Sequence, residues 1–429
     1  MRSIGLLGAI SIGIGGMVGG GIFAVLGEAV SLAHGATAVS FFVAGFVALL
    51  SAYSYAKLSV VYQSEGGTVT FVDKAFGDNI LSGSINLMLW LSYLVTISLY
   101  ATAFASYGGT FFKHMTPFIY HMLISIAIII PAIINLISAS FVGKSETIIV
   151  IIKVTLLIGV IIAGASYVDP QRLAVKNWGS SLSIVTAGMI IFVAYEGFEL
   201  IANSAEDIKN PIKNLPRAFY ASVIIVIFLY IFISLITVGN VSEETLMKAK
   251  DYALAVAARP SLGQTGFIIV ASAALLSTFS AINATIYGNA RLGYIIAKDG
   301  KLPKQLMKEE HNVPFMGVVY TVVLSLFLAN TIDLSEIAII GSAGFLLIFF
   351  IVNVSAYKLR KIIHAKSFIL INSMFFSFIA LVTLLIHTYS SNPKAVIIFM
   401  GFIIFSLLFE LIYGRLMRKQ LFFRNYNNS

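Results

Sequence analysis

GIGGMVGGGIF, residues 13–23, sets six glycines among eleven residues inside a first apolar segment, 4–32. Glycine costs about 1 kcal/mol per residue in a helix interior relative to alanine. Packed together at Gly19–Gly21, it predicts a break halfway along the segment. In a bilayer, non-helical backbone is tolerated only inside protein or beside a cavity. The freed N–H groups then favour an anion such as a carboxylate. The spacings Gly15/Gly19 and Gly16/Gly20 also fit close helix packing, so this segment alone supports two readings. A dinucleotide loop does not fit, because no strand precedes the glycines and they do not follow G-x-G-x-x-G.

The composition around this segment is that of a membrane protein. Of 429 residues, 59% are hydrophobic and 11% charged, and the mean hydropathy is +0.94. Soluble domains carry about 25% charged residues, and no long polar stretch marks a soluble domain here. Windows of about 20 apolar residues predict twelve spans: 4–32, 36–63, 80–112, 118–138, 144–168, 182–203, 217–240, 263–297, 315–331, 334–358, 366–388 and 394–416. A lone span must satisfy its own backbone hydrogen bonds, so these are helices. The expected class is therefore an all-α integral membrane protein with twelve transmembrane helices. Only Arg2 precedes the first segment and no A-x-A-like site ends it, so it is read as a retained helix rather than a cleaved signal.

Charge sets the expected orientation. With both termini cytoplasmic, 20 of the 28 lysines and arginines fall on the cytoplasmic side and 7 outside, with Lys153 the remaining one. That bias follows the positive-inside rule and predicts a multi-pass protein of the cell (plasma) membrane. The net charge of +9 thus reports topology and contact with anionic lipid, not nucleic acid. The absence of cysteine excludes disulfides and thiolate chemistry. Glu243–Ala258 (EETLMKAKDYALAVAA) reads as an external helix closed by Arg259-Pro260, either a lid over a vestibule or a surface helix.

Two further features carry chemistry. FVAYEGFELIAN, Phe192–Asn203, places Gly197 between Glu196 and Glu199 in an apolar helix, which predicts a second break near Tyr195–Phe198. Interruptions in the first and sixth segments point to a five-plus-five inverted-repeat transporter: helices 1–5 in 1–168, helices 6–10 in 182–358, two more helices in 366–416, and a cytoplasmic tail, 417–429. Lys153 is the one charge within IIVIIKVTLLIGVIIAGA, Ile148–Ala165. It lies roughly 13 Å along the helix from Lys144 and roughly 21 Å from Tyr167. An ammonium at that depth costs about 2.5–3.5 kcal/mol on insertion scales, and its default reading is functional. Desolvation lowers a lysine's proton affinity, which makes Lys153 a candidate proton carrier; the alternative is a snorkelled or structurally paired lysine.

The link after the sixth segment reads AEDIKNPIKNLPRA, 205–218. It resembles the signature E-D-x-x-N-P-x-x-x-(I/L)-P-(R/K)-A of the amino acid–polyamine–organocation (APC) superfamily. YEGFELIAN before it, MVGGGIF in the first segment and NATIYGNARLGYIIAKDGKLP, 283–303, resemble other patterns of that superfamily in the same order. The chain also resembles archaeal proton-coupled, broad-specificity amino acid transporters, which carry a lysine where Lys153 stands.

The resemblance implies a LeuT-like fold and secondary active transport of amino acids, by proton symport or by exchange. It implies a carboxylate clamp at Gly19, Gly20 and Gly21 beside Met17. It also implies an ammonium site on the carbonyls of Val193 and Glu196 around Gly197, with Phe192 and Phe198 as walls. For Lys153 it implies a bridge from the Gly15 carbonyl to the Ser277 hydroxyl, with Ser280 and Thr278 as neighbours, in the place of a bound sodium ion. Glu199 would tune a pH response; for Glu196 and Glu199 alike a hydrated vestibule role stays open. The expected partners are an amino acid, protons and lipid, with no cofactor, metal or nucleic acid. The six histidines are scattered without metal-ligand spacing, and no nucleophile motif appears, so an enzyme is not expected. A channel would need a repeated pore motif, which is not seen.

Overall fold

Backbone polarity dictates the secondary structure, since an apolar segment has no water to satisfy its N–H and C=O groups. The computed structural model describes residues 2–137, 139–310 and 313–417, and these are almost wholly helical. In chain order the helices are α1 Leu6–Met17, α2 Gly21–Ala33, α3 Thr37–Val61, α4 Thr68–Phe76, α5 Ile80–Gly109, α6 Pro117–Ile137 and α7 Ala139–Gly164. Then follow α8 Ser181–Ile190, α9 Leu200–Asn203, α10 Pro211–Asn240, α11 Glu243–Lys248, α12 Ala253–Ala257 and α13 Arg259–Lys298. The last are α14 Phe315–Thr331, α15 Leu334–Lys358, α16 Ser367–Ser391 and α17 Pro393–Met417. Two-residue strands at 309–310 and 313–314 pair antiparallel.

Among the described residues, ten helical segments are long and apolar enough to cross a membrane, and the pair α1–α2, bent by 48°, makes an eleventh. The protein is a multi-pass membrane protein. α14, with 17 residues, falls short of that length. The tail expected at 417–429 lies, beyond Met417, outside the described residues, as does His311.

Burial distinguishes the axis of the bundle from its rim. In α5, 94% of the apolar window is buried, against 28% for α6, for 148–167 and for α17. The rim helices turn Ile133, Ile151, Ile162, Ile397 and Leu408 outward. An apolar belt of this kind has no place in water and marks a lipid-facing surface.

Polar contacts close the two ends. On the face where the chain begins, Ile4 N–H donates to Asp207 at 3.0 Å, and Lys209 N–H donates to Ile4 at 2.8 Å. The start of the first segment is thus zipped to the link after the sixth. On the same face Lys301, 2% exposed, places its ammonium 2.6 Å from Asp73 and 3.8 Å from Asp78, tying the end of α13 to α4 and the turn before α5. On the opposite face Lys250 reaches buried Glu28 of α2 at 2.7 Å, and His34 reaches Glu243 at 2.7 Å. The expected external helix is there in pieces, α11, a 3₁₀ turn at Lys250–Tyr252, and α12. Arg259-Pro260 opens α13 instead of closing the external helix, because proline suits a helix's first turn, where its missing N–H is not needed.

Burial raises the carboxyl of Asp73 above its ordinary value, and Lys301 opposes that shift. A raised acid pKa means the folded state holds the proton more tightly, so this group costs stability as pH rises through its folded pKa. Lys301→Ala removes the opposing charge, and breaking a buried pair costs about 3–5 kcal/mol; with Asp73 one-quarter exposed, the lower end applies. The melting temperature of purified Lys301→Ala is expected to drop at neutral pH and to recover partly on acidification. A variant as stable as wild type at pH 7 would refute this.

Candidate functional site

The first segment breaks at Val18–Gly20, with α2 resuming at Gly21. The last carbonyls of a helix lack intrahelical partners, and here other helices supply them. Lys153 of α7 donates its ammonium to Gly15 O at 2.9 Å. Tyr230 of α10 places its hydroxyl 2.7 Å from Met17 O. Ser277 of α13 places its hydroxyl 3.2 Å from Val18 O and 2.6 Å from Gly19 O. Three helices thus cap one broken end. On the other side of the break the first helical bond of α2 is Ala24 N–H to Gly20 O, so the N–H groups of Gly21, Ile22 and Phe23 open the helix as its unpaired first turn.

The sixth segment breaks in a longer way. α8 ends at Ile190, a 3₁₀ turn covers Ile191–Tyr195, and helix resumes at Leu200. Ser342 of α15 splints the turn, taking the Val193 N–H at 3.0 Å and donating to Ile190 O at 2.5 Å. Gly197 has φ +117°, in the region L side chains avoid. The two breaks touch backbone to backbone: a Cβ on Gly16 would stand 2.6 Å from Gly197 O. Tyr230 joins them as well, its hydroxyl lying 3.1 Å from Ala194 O.

Glu196 and Glu199 are both buried beside this contact. Tyr100 of α5 donates to Glu196 Oε2 at 3.3 Å, and its ring lies where any Cβ on Gly20 would fall. Glu199 Oε1 accepts from Tyr93 at 3.0 Å, and its Oε2 takes the Gly197 N–H at 2.7 Å. Phe192 and Phe198 turn their rings into an aromatic cluster around Phe349, with Tyr55 and Phe219 also against Phe198. Ser280 is buried one turn beyond Ser277 on α13, while Thr278 donates back to Ala274 of its own helix.

Cavities open on both faces of the bundle. One of about 320 Å³ is lined by Ile12, Leu200, Asn203, Asp207, Tyr287 and Arg291 on the face where the chain begins. One of about 630 Å³ on the opposite face is lined by Thr110, Lys113, Tyr120, Asp251, Tyr252 and Arg259, among others. Two interrupted helices in backbone contact, in a bundle with a cavity on each face, suit a small solute that must pass from one side to the other.

Comparison with known families agrees with that geometry, residues 4–413 matching the amino acid permease family. The chain belongs to that family. The permease is a transporter and not an enzyme. It is 34% identical to an inner membrane transport protein of Escherichia coli, over 96% of this chain and 97% of that one. An uncharacterized protein of Methanocaldococcus jannaschii shares 34% identity over 97% of both chains. A branched-chain amino acid permease of Bacillus subtilis shares 25%, over 84% of this chain and 81% of its own.

Sequence reading missed Tyr93, Tyr100, Tyr230 and Ser342 of the permease. For the first two a signal exists: seven residues apart, they share a face of α5. Tyr230 and Ser342 carry none, since each is one of several hydroxyls in an apolar helix and nothing in the chain sets it apart. Tyr230→Phe removes the one hydroxyl proton that Met17 O and Ala194 O compete for, an expected loss of about 1–3 kcal/mol for a buried carbonyl left short of its donor. A thermal unfolding midpoint unchanged from wild type would refute the splint.

Proposed function

We propose that the permease is a secondary active transporter coupling amino acid uptake to proton entry by alternating access. The observation carrying this reading is the buried Lys153 ammonium on the Gly15 carbonyl, at the broken end of another helix. Protonated, it holds α7 against α1; on losing its proton it gives up a charge-assisted bond and frees the bundle to rock. A proton then takes the part of a bound cation, with Gly15, Ser277 and Ser280 around it and Glu199 as a secondary protonation site.

The substrate carboxylate would lie on Gly19, Gly20 and Gly21 beside Met17. Its ammonium would lie on the carbonyls of Val193 and Glu196 near Gly197, with Phe192 and Phe198 behind. The bundle would be two inverted repeats of five helices, 1–168 and 182–358, followed by two more in 366–416, twelve spans in all. Both termini would be cytoplasmic and the protein would sit in the plasma membrane, in keeping with the distribution of lysine and arginine. The relative named as a branched-chain amino acid permease supports an amino acid as the substrate.

The second reading is an exchanger in which Lys153 is a permanent strut, favoured by the snug fit of its bond to Gly15. Uptake of a mixed labelled amino acid pool into proteoliposomes separates the two. Proton symport predicts accumulation that needs an inward proton gradient. Uptake needing only internal substrate, indifferent to the gradient, would establish exchange, and no uptake of any amino acid would sink transport altogether.

A further inference from the structure

Glu196 and Glu199 are 3% and 1% exposed, and the coupling scheme above does not require two carboxyls at this depth. Their surroundings are unequal. Glu199 is provided for as an anion, with the Tyr93 hydroxyl on one oxygen and the Gly197 N–H on the other. Glu196 has one hydroxyl, Tyr100, at 3.3 Å, long for an O–H···O bond.

The two carboxyl groups stand three residues apart across the turn at Gly197, both buried beside the same backbone contact. Carboxylates only accept, and two like charges sharing a buried site do not both ionise. One of the two therefore keeps its proton, and it is Glu196, because two donors are on Glu199. The titratable groups facing the pair are Tyr93 and Tyr100 of α5, Tyr55 of α3 and Tyr230 of α10. Lys153 reaches Gly15, next to the Gly16–Gly197 contact. Through Tyr100, whose ring abuts Gly20, the pair forms a wall beside the break of the first segment.

We propose that the Glu196–Glu199 pair sets substrate specificity, selecting amino acids with a basic side chain, ammonium or guanidinium, that displaces the proton held on Glu196. This rests on the transport reading, in which backbone groups of the two breaks hold the substrate's head group. The resting pair carries one proton and one net negative charge. A basic side chain brings one positive charge and its own donors, so the proton on Glu196 leaves as the cation arrives. The pair goes from one negative charge to two, the cation supplies one positive, and the net charge of the site is unchanged. Charge-assisted bonds replace the carboxyl proton. A neutral side chain displaces nothing.

The test is calorimetric and pH-indicator titration of the purified full-length permease with lysine and with leucine in weak buffer. Lysine is expected to release about one proton per molecule bound, with affinity falling on acidification, since a carboxyl proton competes with the cation. Leucine is expected to release none. Glu196→Gln, which keeps the shape and cannot ionise, is expected to lose the proton release and to lower the lysine-to-leucine affinity ratio about tenfold or more, the worth of a charged hydrogen bond. Equal proton release with leucine, or lysine binding with none, overturns the proposal and leaves transport standing. Binding of neither amino acid overturns both. The wild-type proton count decides the matter even if Glu196→Gln fails to fold.

Discussion

Lys153→Ala is expected to abolish gradient-driven amino acid uptake in proteoliposomes while leaving a folded protein. The substitution removes the donor that Gly15 O receives at 2.9 Å, and with it a charge in a helix that has no other from Ile148 to Ala165. Losing a donor to one buried carbonyl costs about 1–3 kcal/mol, which a bundle of this size can absorb. Coupling is a different matter, because no other side chain in that helix can take up and release a proton at this depth. Driven uptake should fall to the level seen without a gradient, about 100-fold if a few kcal/mol of conformational bias is lost.

Lys153→Arg separates the two roles of the lysine. Arginine keeps the positive charge and the donors but stays protonated, with a pKa above about 12. If the proton leaves during the cycle, this variant binds substrate and fails to accumulate it. Driven uptake by Lys153→Arg would reduce the residue to a strut, and wild-type-like driven uptake by Lys153→Ala would remove it from the mechanism.

Gly197→Ala is expected to lower the yield of folded protein by an order of magnitude or more. Two costs combine. At φ +117° an L side chain is strained by roughly 1–3 kcal/mol. The new Cβ would also stand 2.6 Å from Met17 N and from Gly16 Cα. Those atoms are backbone, so neither can move aside as a flexible side chain would; the two broken segments must separate. Gly16→Ala meets the same contact from the other side, 2.6 Å from Gly197 O, and should fail similarly. Monodisperse elution and a wild-type melting temperature for Gly197→Ala would show that the breaks do not meet as described.

Much of this was legible along the chain because it depends on local composition. Hydropathy windows located the membrane-crossing segments, since the hydrocarbon slab imposes a length. The glycine run at 19–21 announced an interruption, observed one residue earlier at Val18–Gly20 because Gly21 serves as the first residue of α2. The sixth segment's weak point was announced by Gly197 between two acids. Lys153 stood out because charge in an apolar helix is costly wherever the helix packs.

Partners were not legible in composition or spacing, because they depend on which helices meet; the Lys153–Gly15 pairing was implied only by the family resemblance. Lys153 and Gly15 are 138 residues apart, Tyr230 and Met17 are 213, and Ser277 and Gly19 are 258. A hydroxyl in an apolar helix looks the same whether it bonds its own preceding turn, as Thr278 does to Ala274, or caps a broken helix, as Ser277 does. Only a rotation about the α13 axis distinguishes them, and that rotation is set by packing against α5, α6 and α7. The same holds for the acids at 196 and 199. Their number and depth were visible in the chain, whereas their unequal donors arise from the turn at Gly197, which the backbone contact with Gly16 holds in place.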